Sequence, residues 1–128
     1  MDRVKVLRIG VAPTRYVRRR MLEIAGGGKL LPGEPKVWVS SLDSLAKVLT
    51  ESNMRLLQVI RDAEPQSLSA LARQSGRSLS NLSRTLHTLE RLGIVAFIDK
   101  ADGRKVPTVL CTKIQLVVDF AEPRSEAA

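Results

Sequence analysis

The chain has 128 residues, enough for one domain with a substantial core, and its 44% hydrophobic and 27% charged residues are typical of a globular protein. The formal net charge of +8 indicates an anionic partner: nucleic acid first, an acidic protein or a membrane surface second. Its single cysteine, Cys111, excludes an intrachain disulfide and a cysteine-based zinc site. No apolar run approaches the ~20 residues that span a bilayer, and the N-terminus is too charged for a signal peptide, so we expect a cytoplasmic protein.

The N-terminal third is predicted to hold a strand, a basic helix and a linker. Residues 4–11 favour a strand that ends at Pro13. Residues 14–25 favour a helix with an apolar side (Val17, Met21, Ile24, Ala25) opposite a basic side (Arg15, Arg18, Arg19, Arg20). That basic side is open to three interpretations: a solvated helix face, a patch that contacts phosphates, or a site for an acidic partner. Residues 26–35 are rich in glycine and proline and indicate a linker.

A short strand and two helices are predicted next. Residues 37–39 favour a strand, which can add to the sheet of a hairpin predicted further along the chain. Ser40 or Ser41 then caps a helix with an apolar stripe at Leu42, Leu45, Ala46 and Leu49. The following helix buries a broad face (Met54, Leu56, Leu57, Val59, Ile60) and ends at Glu64.

Residues 67–92 predict two helices joined by a tight turn. Ser67 is a candidate N-cap of the first, and Gly76 interrupts the pattern where the turn needs backbone freedom. Ser78 can cap the second, whose apolar positions are Leu79, Leu82, Leu86, Leu89 and Leu92. Gly93 follows at the position where left-handed backbone geometry commonly ends a helix.

The remainder of the chain predicts a hairpin and a final strand. Two β-branched and aromatic runs, residues 94–98 and 105–110, flank an Asp-Gly pair that favours a tight turn. Residues 114–120 then alternate with one apolar face, at Ile114, Leu116, Val118 and Phe120. The strands at the two ends of the chain could pair with each other or across a dimer axis.

The run LARQSGRSLSNLSRTLHTLERLGIV followed by the DGRK hairpin resembles transcriptional regulators of the MarR/ArsR type. With SSLDSLAKVLTESNMRLLQVI upstream, the chain is also similar to small predicted winged-helix regulators, several of which resemble antitoxins or autoregulators. The resemblance covers residues 37–120. It implies an α+β winged helix-turn-helix fold with extra N- and C-terminal strands. The chain would divide into an N-terminal extension and linker (1–36), a DNA-binding domain (37–120) and a flexible tail (121–128).

This resemblance implies that the second helix enters the major groove while the hairpin lies beside it. The predicted DNA-binding residues are Arg77, Ser78, Ser80, Asn81, Ser83, Arg84 and His87 on the helix, and Lys100, Arg104 and Lys105 on the hairpin. Each has a structural alternative: a surface salt bridge for Arg84, simple solvation for Asn81, a cap alone for Ser78, and a solubilising hairpin tip for the cations. His87 lacks a second histidine or paired cysteines, which makes it a poor metal ligand.

The sequence therefore predicts a sequence-specific regulator of double-stranded DNA, a homodimeric repressor or autoregulator. The alternative is an antitoxin-like protein-interaction module that binds an acidic protein through residues 1–36. We expect no enzyme activity, because there is no paired-carboxylate constellation, no nucleophile with a recognisable base and no metal-ligand spacing. We expect no cofactor and no metal.

Overall fold

A computed structural model describes residues 5–120 of the chain. It has an α+β architecture, with two strands and a helix before the main helical region, and three strands after it. In chain order the elements are β1 (Val6–Val11), α1 (Thr14–Ala25), β2 (Val37–Val39), α2 (Leu42–Val48), α3 (Glu51–Ala63), α4 (Leu68–Ser75), α5 (Leu79–Arg91), β3 (Val95–Asp99), β4 (Lys105–Val109) and β5 (Lys113–Val118). Within residues 5–120, no helix is long and apolar enough to cross a membrane.

Strands β2, β1 and β5 form a parallel three-stranded sheet with β1 in the middle. The two terminal strands therefore pair with each other within one chain, Leu7 beside Ile114 and Ile9 beside Leu116. The expectation that residues 37–39 add to the hairpin is wrong, because Trp38 aligns with Gly10 of β1 instead. Strands from both sides of the predicted boundary at residue 36 thus share one sheet.

The two faces of this sheet are covered by different elements. Ile9 and Val11 of β1 pack with Leu45 of α2 on the face that adjoins the main core. On the other face Tyr16 of α1 meets Trp38 edge to face, with ring centroids 5.2 Å apart. Helix α1 therefore lies on the opposite side of the sheet from α2.

The main core lies among α3, α4, α5 and the β3–β4 hairpin. Its most buried side chains are mainly leucines on the predicted apolar faces of the three helices: Leu56 of α3, Leu71 of α4, and Leu82, Leu86 and Leu89 of α5. Ile60, Ile94 and Val95 complete this group. The predicted caps are confirmed, since the hydroxyls of Ser41, Ser67 and Ser78 each accept a backbone N–H three residues ahead, at 3.0–3.2 Å.

The predicted orientation of α1 is wrong at Arg20 and Met21, whereas Arg15, Arg18 and Arg19 are exposed as expected. Arg20, expected on the solvated side, is 8% exposed, whereas Met21 and Leu22, on the helix's outer side, lie in solvent. The reason is Glu34, whose carboxylate accepts from both Nε and Nη2 of Arg20, while the same Nη2 group also donates to the Lys29 carbonyl at 2.9 Å. The glycine- and proline-rich segment is thereby fastened to α1.

Glu34 is held ionised in this cluster. The hydrogen bond from Arg20 lowers its pKa, against the desolvation that burial imposes, and the backbone N–H of Leu31 adds a further bond at 2.8 Å. Arg20 also bonds Glu23 at 2.9 Å. Because both charges have several partners, the pair can remain buried.

Candidate nucleic-acid interface

Helix α5 turns a leucine face inward and a polar face outward. Leu82, Leu86 and Leu89 are fully buried against α3, α4 and the hairpin. Because residues three and four apart share a helix face, Ser80, Asn81, Arg84 and His87 fall on the opposite side, and all four are exposed. The outward face carries no acidic residue before Glu90.

The turn between α4 and α5 has the geometry that Gly76 permits. Gly76 adopts φ 72°, ψ 17° in the left-handed region, and its N–H bonds the Ala72 carbonyl at 2.9 Å to end α4. Ser78 then caps α5, and its hydroxyl lies 3.3 Å from the hydroxyl of Ser80. The N-terminus of α5 therefore presents short hydroxyl side chains and no bulky ones beside them except Leu79.

Arg77 links the starts of two helices. One NH2 group donates to Ser52 Oγ at 2.8 Å, to the Ser52 carbonyl at 3.0 Å and to Asn53 Oδ1 at 3.0 Å, all at the start of α3. The other donates to Asn81 Oδ1 at 3.2 Å. The guanidinium is thus engaged within the protein, and it fixes both the position of α5 and the orientation of the Asn81 amide.

Arg84 is a predicted contact that the fold leaves accessible. Its side chain is exposed, and within residues 5–120 it has no hydrogen-bond or ion-pair partner. Ser83, by contrast, is half-buried at the side of the helix. The outward face thus places one unneutralised fork of donors beside the Asn81 amide and the serine hydroxyls.

His87 joins α5 to the hairpin. Its ring lies 5.7 Å from that of Phe97 in β3, and its Nδ1 is 3.6 Å from Glu90 Oε1. The side chain remains largely exposed. His87 therefore contacts the hairpin through Phe97 while most of its side chain stays accessible to solvent.

The hairpin places its cations at and beside a tight turn. Gly103, at φ 87°, closes the turn, and its N–H bonds the Lys100 carbonyl at 2.9 Å. The Arg104 guanidinium is held at the protein surface by two contacts: its Nε lies 2.6 Å from Asp102 Oδ2, and its Nη1 donates to the Gln66 carbonyl at 3.1 Å. The pKa of Asp102 is lowered, chiefly because its carboxylate accepts a hydrogen bond from the backbone N–H of Arg104. Lys100 and Lys105 remain exposed.

Two contributions were missed at the sequence level. Arg73, in the last turn of α4, is exposed beside the turn into α5, and its place opposite the Leu71 stripe was a usable signal. Ser52 and Asn53 were also missed as partners of Arg77; a contact across 24 or 25 residues leaves no local pattern in a sequence. Within residues 5–120 no group of three or more histidine, cysteine, aspartate or glutamate side chains could hold a metal ion.

Comparison with known protein families places this region in a defined family. The model of the HVO_A0114 family matches residues 48–116, from the end of α2 into β5. The chain belongs to the HVO_A0114 family. No curated protein and no solved structure matches the chain. The matched segment contains both helices of the α4–α5 unit and the hairpin, so the candidate interface lies wholly within the family's shared region.

Proposed function

We propose that this protein binds specific sites on double-stranded DNA as a winged helix-turn-helix regulator and acts by occupying promoters. Helix α5 enters the major groove, α4 crosses above it, and the β3–β4 hairpin is the wing that follows the backbone. The observation that carries the proposal is the outward face of α5, which is exposed, cationic and without an acidic residue before Glu90, while the leucines hold the opposite face in the core.

The chemistry of that face fits base and phosphate recognition. An unpaired guanidinium such as that of Arg84 matches guanine O6 and N7 in the major groove, and an amide such as that of Asn81 matches adenine. The short side chains of Ser78 and Ser80 let the helix start approach a phosphate, toward which its free N–H groups and dipole also point.

The local charge supports the same partner. The α4–α5 segment carries four arginines (Arg73, Arg77, Arg84, Arg91) against one acid, Glu90. Lys100 and Lys105 add charge from the wing. If about six to eight phosphates are contacted, the logarithm of the binding constant falls with the logarithm of salt concentration at a slope of about −5 to −7.

The test is binding-site selection from random duplex DNA, followed by anisotropy titrations of the selected site at several salt concentrations. Arg84→Ala is expected to weaken binding to the selected site by about 1–3 kcal/mol and to lower discrimination against random DNA. Arg18→Ala removes the same exposed charge from α1, on the far side of the sheet, and should change affinity far less.

Three results would contradict the proposal: no enriched sequence, a flat salt response, or equal losses for the Arg84 and Arg18 variants. Equal weakening of Arg84→Ala on selected and random DNA would instead assign Arg84 to a phosphate contact.

The alternative, an acidic protein partner bound through residues 1–36, receives less support. Arg20 is buried with Glu34, and Arg19 lies 3.8 Å from Glu23 and over the Tyr16 ring, so much of the predicted basic face of α1 is used internally.

A further inference from the structure

The outer side of β5 is an open sheet edge lined by apolar side chains. In the three-stranded sheet β5 pairs with β1 on one side, and no described strand lies on the other. Leu116 is 45% exposed, Val118 54% and Phe120 89%, although Leu116 and Val118 share the sheet face of the buried Ile9 and Val11. An edge of this kind is a template for another strand.

The backbone groups of this edge have a definite direction. The N–H groups of Lys113 and Asp119 donate to carbonyls of the β1 side, those of Lys5 and Val11, at 3.2 and 2.8 Å. Because successive residues of a strand direct their backbone groups to opposite sides, those of Ile114, Leu116 and Val118 are directed outward.

We propose that a second copy of this chain docks on this edge, β5 against β5 in antiparallel orientation about a two-fold axis at Leu116. Leu116 then exchanges both backbone hydrogen bonds with its own copy, and Ile114 does so with Val118. The two three-stranded sheets then form a single six-stranded sheet, in which the outward-directed backbone N–H and C=O groups of both β5 edges are hydrogen-bonded.

Charge complementarity selects this register. When Leu116 lies opposite Leu116, Lys113 of one copy lies opposite Asp119 of the other, and the symmetry makes this pair twice. Shifting the register by two residues in either direction separates these charges and leaves each opposite an uncharged residue. Opposite charges in directly facing positions stabilise a strand pair.

A groove beside the edge accepts the remaining apolar residue. Beyond the paired strands, Phe120 of the second copy comes beside Thr112, which precedes β5 and whose own N–H donates to the Lys5 carbonyl at 2.9 Å. Thr112 lines a groove of about 400 Å³ between α3 and β5, walled by Leu49, Met54, Leu57 and Leu116. Residues 121–128 carry no large apolar side chain that could fill this groove instead. The second copy supplies the aromatic ring that the groove lacks.

The dimer deepens the proposed function, because a two-fold assembly presents two copies of α5 to a symmetric site, but the contacts of the β5 edge do not depend on DNA binding. Sedimentation equilibrium of the full chain in the absence of DNA is expected to give a dimer. Leu116→Arg should give a monomer with an unchanged circular-dichroism spectrum, and Phe120→Ala a weaker dimer. Leu22→Arg is the matched control, because Leu22 on α1 is the same residue type and is also exposed (68%, against 45% for Leu116), and this variant should remain dimeric.

The register is tested by charge reversal. Lys113→Asp sets two aspartates against each other and Asp119→Lys sets two lysines, so each variant alone should dissociate about tenfold more readily. Mixed together, they restore both attractive pairs, and native mass spectrometry should show the heterodimer in excess over either homodimer.

The proposal would be overturned if the full chain were monomeric at about 100 µM, a concentration above the dissociation constants of ordinary dimers. It would also be overturned if the Leu116→Arg variant remained dimeric. Charge variants that show no preference for the heterodimer would overturn the register. A dimer that binds no DNA would leave this inference intact and remove the proposed function.

Discussion

The ion pair of Arg20 and Glu34 is the clearest case of a residue-level contact that decides local structure. Hydrogen bonding from Arg20 holds the pKa of Glu34 below its unfolded value of about 4.3. A carboxyl group with a lowered folded pKa contributes stability that is present above its unfolded pKa and is lost as pH falls through the folded pKa. We expect Glu34→Gln to cost about 3 kcal/mol of unfolding free energy at pH 7, since it leaves the buried guanidinium with only the partly exposed Glu23 carboxylate as a counter-charge.

Denaturant unfolding between pH 7 and pH 2.5 measures this effect. The difference between the wild type and Glu34→Gln should shrink below pH 4, as the wild-type carboxyl becomes protonated. Glu51→Gln breaks an exposed pair with Arg55 at 3.1 Å and should change stability by less than about 1 kcal/mol at any pH. A pH-independent difference for Glu34→Gln would contradict the role assigned to its charge.

Arg77 makes a second residue-scale prediction, because its contacts lie inside the protein and those of Arg84 do not. Arg77→Ala removes bonds to Ser52, Asn53 and Asn81 and is expected to lower the unfolding free energy by about 1–3 kcal/mol. Arg84→Ala should leave it within about 0.5 kcal/mol. Urea unfolding of both variants decides the matter; equal stabilities would show that the Arg77 contacts contribute nothing.

At the scale of elements, the close contact between β1 and β2 depends on Gly10, whose lack of a side chain leaves room for the Trp38 ring. A Cβ at Gly10 would lie 2.4–2.8 Å from the indole ring of Trp38, nearer than atoms in contact can come. Gly10→Ala is therefore expected to destabilise the fold by about 1–3 kcal/mol. Thermal unfolding of Gly10→Ala, Trp38→Leu and the double variant should give a favourable coupling energy, because the smaller side chain removes the clash. If the losses of stability in the two single variants simply add in the double variant, the cost of Gly10→Ala does not arise from a clash with Trp38.

Elements fixed by local signals were predictable, and those fixed by distant partners were not. The caps at Ser67 and Ser78 and the turn glycine Gly103 follow from side-chain and backbone rules that act over a few residues. The buried face of α1 was mistaken because a charged residue entered the interior with a partner 14 positions away. The parallel pairing of β1 with β5 joins opposite ends of the chain, so periodicity could identify both strands but not their neighbours.

The same division holds for the candidate interface of the whole molecule. The leucine spacing of α5 was enough to predict which side faces outward, and Arg84 lies there. It could not distinguish Arg84 from Arg77, since both are arginines near the helix start and only the fold brings Ser52 to one of them. Likewise, nothing in the sequence separates Arg104 from Lys100 and Lys105 on the hairpin. Only the fold shows that Arg104 donates a hydrogen bond to the Gln66 carbonyl.

The integration of the N-terminal third into the sheet gives the prediction at the largest scale. The fragment 37–128 retains α2–α5 and the hairpin but lacks β1, the central strand, whose Ile9 is fully buried. Without β1, β2 and β5 have no partner between them and Leu45 loses its cover, so we expect this fragment to lack a cooperative thermal transition and a dispersed NMR spectrum. The fragment 5–120 keeps every described element and should give both. A well-dispersed spectrum from 37–128 would mean that the helices and hairpin fold on their own, and that β1 is an addition to a finished domain.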